Sequence, residues 1–170
     1  TINGTNDQPV IDSIAATGTL SEADGNAALS ASGTLTFSDL DATDGVTVTA
    51  SNTGISWTGG TLDTQLNNSD ISSLINAFSI DNNGWYYNTN VNLDFLANGE
   101  SITLTYSVVA TDDSATANAA SDAQTVTITI NGTNDQPVID SIAATGTLSE
   151  ADGNAALSAS GTLTFSDLDA

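Results

Sequence analysis

Ser101-Ile102-Thr103-Leu104-Thr105-Tyr106-Ser107-Val108-Val109-Ala110 alternates apolar with mostly hydroxyl-bearing side chains, and Gln124-Thr125-Val126-Thr127-Ile128-Thr129-Ile130 does the same. Side chains on a strand point to opposite faces in turn, so a period of two makes one apolar face and one polar face. These are the two longest such runs, and the Thr, Val and Ile that fill them fit a pleated backbone. Further out, Ala28 to Ser38 alternates through Leu29, Leu35 and Phe37, and Val46-Thr47-Val48-Thr49-Ala50 has the same period. Phe78-Ser79-Ile80 and Trp85-Tyr86-Tyr87 flank Asp81-Asn82-Asn83-Gly84, a hairpin signal. Short strands separated by Gly, Asn and Asp turns predict an all-β chain folded as a β-sandwich. Two departures are expected: a short helix from Ile71 to Ala77 capped by Ser69-Asp70, and a single turn at Leu93-Asp94-Phe95-Leu96.

Residues 1–42 recur without a substitution as residues 129–170, so the step from position 1 to position 129 gives a period of 128. That is the length of one β-domain rather than of a solenoid repeat. The expected organisation has three parts. Residues 1–7 end a preceding repeat and its linker, 8–135 form one full repeat with its C-terminal linker, and 136–170 begin the next identical repeat. This last piece is read as the first two strands of a further sandwich, too little to bury a two-sheet core alone. If it is ordered, pairing with another chain or a swap is expected. Gly132 breaks the last strand and Pro137 holds Gln136 extended, which marks Asn131 to Pro137 as a linker, with Asn3 to Pro9 as its twin. Identical tandem copies make length, and length is a mechanical property. The partners implied are neighbouring identical repeats of the same chain.

The charge balance is one-sided. The chain has 21 acidic residues and no Lys, Arg or His, a formal net charge of −21. No carboxylate can meet a basic side chain, and carboxylates crowded into one domain repel one another. Disorder is the usual consequence of such acidity, but hydrophobic residues at 39% supply enough material for a core. The compensating charge must come from outside. Asp, Asn and carbonyl oxygens are hard ligands that suit Ca²⁺ rather than a transition metal. Cysteine is absent, so disulfides cannot take that role and a metal can. The simpler alternative is that acidity only keeps the protein soluble in a salty medium.

Strand directions turn this into a site. If a domain begins at its top, the segment around Gly18-Thr19-Leu20 runs down and leaves Glu22 at the bottom. The next strand carries Asp39 and Asp41 up. The final strand runs down to the linker, so its antiparallel neighbour from Ser101 to Ala110 delivers Asp112 and Asp113 to the top, where Asn6 and Asp7 of the incoming linker also arrive. At the bottom Glu22 meets Asn134 and Asp135, and the next copy brings Asp167 and Asp169, with Glu150 as its own equivalent of Glu22. Asp39 and Asp41 are two apart on a strand end and so share a side. All twelve are candidate metal ligands.

Gly18-Thr19-Leu20-Ser21-Glu22, Gly33-Thr34-Leu35-Thr36-Phe37-Ser38-Asp39-Leu40-Asp41, Asn83-Gly84-Trp85-Tyr86-Tyr87, Leu96-Ala97-Asn98-Gly99-Glu100 and Asn131-Gly132-Thr133-Asn134-Asp135 resemble, in order and across the whole period, the VCBS-type repeats of giant bacterial adhesins. The resemblance implies a cadherin-like or Ig-like sandwich acting as an extender module of a long repeats-in-toxin adhesin, exported by type I secretion, displayed at the bacterial surface and active in adhesion or biofilm formation. The linker Asn134-Asp135-Gln136-Pro137 also resembles the cadherin inter-domain linker. There an early Glu, an Asp-x-Asp and a linker Asn-Asp share calcium, which implies such roles for Glu22, for Asp39 and Asp41, and for Asn134 and Asp135. The cadherin Asp-Arg-Glu element has no counterpart, because the chain has no Arg.

Enzymatic action is not expected. Without His, Cys or Lys only carboxylates and hydroxyls remain, and a glycosidase-like carboxylate pair lacks an aromatic cleft beside it. Trp57, Trp85, Tyr86 and Tyr87 are a candidate sugar platform, although aromatics at strand positions more often fill a core. A ligand-binding module for carbohydrate or ice is the main alternative, on the Thr47/Thr49 and Thr125/Thr127/Thr129 rows, which ordinary strand preference also explains. A surface-layer or matrix repeat shares the same physics.

Overall fold

In a computed structural model, which describes every residue except Asp24, Asn26, Ala151 and Ala170, the two long alternating runs sit side by side at the centre of one sheet. They are β7 (Ser101–Thr111) and β8 (Gln124–Asn131), antiparallel, with Ile102 opposite Ile130 and Leu104 opposite Ile128. β4 (Thr47–Trp57) flanks β7, and β2 (Thr17–Ser21) flanks β8 in parallel, giving the order β2-β8-β7-β4. β1 (Val10–Ile14), β3 (Leu29–Ser38), β5 (Phe78–Asp81) and β6 (Gly84–Thr89) make a second sheet in the order β1-β3-β6-β5. The all-β expectation is met. The strand expected at Val46–Ala50 runs on to Trp57, and a bulge between Asn52 and Gly54 keeps its second half paired with β7.

Inward residues of both sheets merge into one core around Leu35, Trp85, Tyr87, Leu104, Tyr106 and Ile128. A line of rings crosses it. Phe78 on β5 stacks on Trp85 of β6 at 5.8 Å and on Tyr106 of β7 at 4.1 Å. Trp85 and Tyr87 are therefore core residues, which removes them from any sugar platform. Their polar ends are satisfied inside: Trp85 Nε1 donates to Ala15 O at 2.7 Å, and Tyr87 Oη to Leu74 O at 3.2 Å. Gly33 is glycine because a Cβ there would run into the Trp85 indole.

The helix lies between the two sheets' edge strands as α1 (Asn68–Asn76). Its cap is Asn67 rather than the expected Ser69-Asp70: the Asn67 side chain accepts from Ser69 N at 2.8 Å and Asp70 N at 3.0 Å. The turn at Leu93–Leu96 is present, closed by Leu96 N donating to Leu93 O at 2.9 Å. A second correction concerns the N-terminal segment. Residues 8–42 make three strands, not two, because the chain changes sheets between β1 and β2. Among the described residues of 136–170 only β9 (Val138–Ile142) and β10 (Leu163–Ser166) form, as an antiparallel pair apart from both sheets, with Val138, Ile139, Ile142, Leu163 and Phe165 exposed.

Candidate functional site

At the end where the domain begins, β3 and β7 both terminate and the incoming linker lies between them. Asp112, the residue after β7, is buried; its Oδ1 accepts from Ser114 N at 2.8 Å and its Oδ2 from Asn6 Nδ2 at 3.1 Å. The hydrogen bonds from Ser114 hold its carboxyl below the usual carboxylate range. Asp7 N donates to Asp41 Oδ2 at 2.6 Å, Asp41 N to Asp39 Oδ1 at 2.9 Å, and Gly45 N to Asp113 Oδ1 at 3.0 Å. Asn6, Asp7, Asp39, Asp41, Asp112 and Asp113 thus gather at one end as expected. The loop after β7 also grips the linker through neutral groups: Asn118 Nδ2 donates to Asn6 O at 2.7 Å and Gln8 Nε2 to Ala120 O at 2.6 Å.

Asp44 belongs to this cluster and was not among the expected ligands. Desolvation pushes its carboxyl above the usual range, and Asp41, Asp112, Asp113 and Asp39 push it the same way. Its signal was present as a third acid within Asp39-Leu40-Asp41-Ala42-Thr43-Asp44, folded back by Asp44 N donating to Asp41 O at 3.0 Å.

The opposite end holds the second cluster. Glu22, just past β2, is only 3% exposed. Its Oε2 accepts from Thr133 N at 3.2 Å and Thr133 Oγ1 at 3.1 Å. Asp135, also buried, donates its N to Asp169 Oδ2 at 3.3 Å, the copy of the Asp7–Asp41 bond. Asn134 turns its Nδ2 back onto Asp135 O at 2.6 Å. Asp167 and Asp169 are within hydrogen-bonding reach of each other, and that bond pushes Asp167 up and draws Asp169 down. Like charges so close disfavour the doubly ionised pair, and a proton or a cation between them relieves that. Glu150 stands apart, exposed in the irregular stretch between β9 and β10. Glu22 is buried because β2 lies along β8 and beneath Thr133; Glu150 has no such neighbour.

Asp94 is the second residue that sequence reasoning missed. It is 8% exposed, in the turn against which the linker packs; a Cβ on Gly132 would collide with the carbonyl oxygens of Leu96 and Ala97. It lines a cleft together with Asn92, Phe95 and Leu168, so it faces the second copy's Asp167-Leu168-Asp169 segment. Leu93-Asp94-Phe95-Leu96 read only as a turn, because nothing local marks which end of the domain it occupies.

Among the described residues no three carboxylates are already closed around one point. What they do share is orphaned oxygen. Buried side-chain oxygens without a hydrogen-bond donor include Glu22 Oε1, Asp94 Oδ1 and Asp167 Oδ1 at the lower junction and Asp39 Oδ2 at the upper one. No base in the chain can serve them. Their chemistry, hard anionic oxygen without nitrogen or sulfur, fits Ca²⁺. No family model matches the sequence, and no curated protein matches it.

Proposed function

We propose that this chain is a calcium-stabilised extender module, an Ig-like or cadherin-like sandwich in a tandem array of period 128, with Ca²⁺ bound where consecutive repeats meet. The observation that carries this reading is the set of buried, donorless carboxylate oxygens at the two ends of a domain that has no basic residue. A buried carboxylate oxygen without a partner is costly, and an external cation removes that cost at both ends. Glu22 and Asp94 from one repeat, Asp135 from the linker, and Asp167 and Asp169 from the next would hold the ion. The ion supplies a positive charge that ties three segments together. The strand order supports the Ig-like reading: β1-β3-β6-β5 corresponds to A-B-E-D of that fold, and β2-β8-β7-β4 to the opposite sheet with its first strand switched across.

Read with the sequence resemblance, such a module would belong to a long adhesin at a bacterial surface, reached by type I secretion, where stiff repeats project a terminal binding domain. Its role there is mechanical, without catalysis. A second reading has one observation behind it. None of β2, β4, β7 and β8 contains Asp or Glu, so the outer face of their sheet, with Thr17, Thr19, Thr103, Thr127 and Thr129, is an uncharged hydroxyl array in an acidic protein. A neutral carbohydrate or ice surface would suit it, but exposed strands favour Thr without any ligand.

Melting with millimolar Ca²⁺ and with chelator tests the main reading. Ca²⁺ at a hundredfold excess over Kd should add about 2.7 kcal/mol to the folded state. Equal midpoints would remove calcium, and the same gain from NaCl alone would leave only charge screening.

A further inference from the structure

Glu22 belongs to the domain, but the hydrogen bonds to its carboxylate come from the linker. Thr133 offers two donors, its N at 3.2 Å and its Oγ1 at 3.1 Å, both to Oε2. The hydroxyl has one proton and also lies 3.3 Å from Glu22 O; the charged Oε2 is the stronger acceptor. The other oxygen, Oε1, is buried without a donor. A carboxylate is planar, so fixing Oε2 fixes where Oε1 points. Thr133 is itself held in place. Glu22 N donates to Asn131 O at 2.8 Å, Gly132 N to Glu100 O at 3.0 Å, and Gly132 sits so close to the Leu93–Leu96 turn that only glycine fits.

We propose that Thr133 is a positioning residue for the junction: its hydroxyl holds one oxygen of Glu22 so that the other is presented to the cation, which makes cation affinity depend on a docked linker. The proposal rests on the calcium reading. Its consequence is directional. A domain whose linker is undocked loses the orientation of Glu22 and must spend binding energy restoring it, so linker order and ion binding reinforce each other.

The test follows the backbone amide resonances of Asp135 and Asp7 in the full chain during CaCl₂ titration. Asp135 reports the junction beside Thr133, and Asp7 reports the upper cluster as an internal control. Thr133→Val keeps the branched shape and the N–H but removes the hydroxyl. It should move the Asp135 midpoint to higher Ca²⁺ on the order of tenfold, as loss of a residue that orients a ligand does, and leave the Asp7 midpoint unchanged. Thr133→Ser should restore the Asp135 midpoint, and Thr133→Ala should resemble Val. In chelator the melting midpoints of the four proteins should stay close together. An unmoved Asp135 midpoint in the Val variant, with wild type responding at both amides, overturns this proposal and leaves the calcium reading standing. So does a weakening that Ser does not repair, or a loss in chelator as large as the loss in calcium, since a purely structural role would produce that. Silence of both amides in wild type overturns the proposal and the calcium reading together.

Discussion

Residues 8–42 and 136–170 have one sequence and two structures. Some features occur in both. The same strand pairing forms, between β1 and the last four residues of β3 and between β9 and β10. Ser38 Oγ donates to Asp12 at 3.0 Å and Ser166 Oγ to Asp140 at 3.0 Å, and the register slips at the same aspartate in each copy. Other features occur once. β3 begins at Leu29, and its residues Leu29 to Thr34 are those that pair with β6; the equivalent residues 157–162 form no strand. Gly18 to Ser21 lie along β8, while residues 146–149 form no strand. What survives in the second copy is what the segment pairs with itself. What is lost is every pairing with a strand outside the segment, because a strand's backbone groups are satisfied by its neighbour and not by its own composition.

Hydrogen exchange offers the largest test of this contrast. Amides of β2, such as Leu20, should be protected by a factor on the order of a thousand or more, as for a domain of ordinary stability. The amide of Leu148 should exchange nearly as fast as in an unfolded peptide. Equal protection at the two positions in a chain shown to be monomeric would break the comparison; equal protection in a dimer would mean that another chain completes the second copy.

A pair of matched substitutions comes next. Leu35 is 4% exposed and Leu163, its copy, is 54% exposed. Leu35→Ala should cost about 2–5 kcal/mol in denaturant unfolding. Leu163→Ala should stay within about 0.5 kcal/mol of wild type, as surface changes usually do. Similar losses from both would show that the hairpin of β9 and β10 is covered in solution.

Much of this was legible beforehand. The period of two in Ser101–Ala110 and in Gln124–Ile130 set the central strands, and the downward and then upward courses read for the first strands placed Glu22 at one end and Asp39 and Asp41 at the other. Asp44 and Asp94 were not legible. Asp94 matters because Gly132 lets the linker press against the Leu93–Leu96 turn, a contact between residues far apart in the chain. Thr133 read only as part of a linker, and its distance to a buried glutamate gives it a task.

The smallest effect concerns alkaline pH, and it sharpens the contrast because residues 136–170 contain no tyrosine. Burial pushes Tyr106 up to about 12 and raises Tyr87 as well. The unfolded chain gives up these protons first, near pH ~10. Stability from the neutral phenols is therefore complete below that pH and falls as pH rises toward 12. Between those values the complete domain should lose stability gradually while exchange in β9 and β10 stays as it was at neutral pH. A melting midpoint flat across that range would mean that the two hydroxyls are not held in the core.

By itself the sequence determined the long strands, the period, the absence of any internal counter-charge and the ends of the domain at which acid accumulates. Those are properties of side-chain alternation and of composition, which neighbouring residues settle among themselves. The tertiary structure alone decided that β1 and β2 part into different sheets, that Glu22 is buried while the identical Glu150 is exposed, and that a linker threonine grips it. Each depends on which distant strand lies alongside, and the second copy, with the same residues and no such strand, shows how much local sequence leaves open.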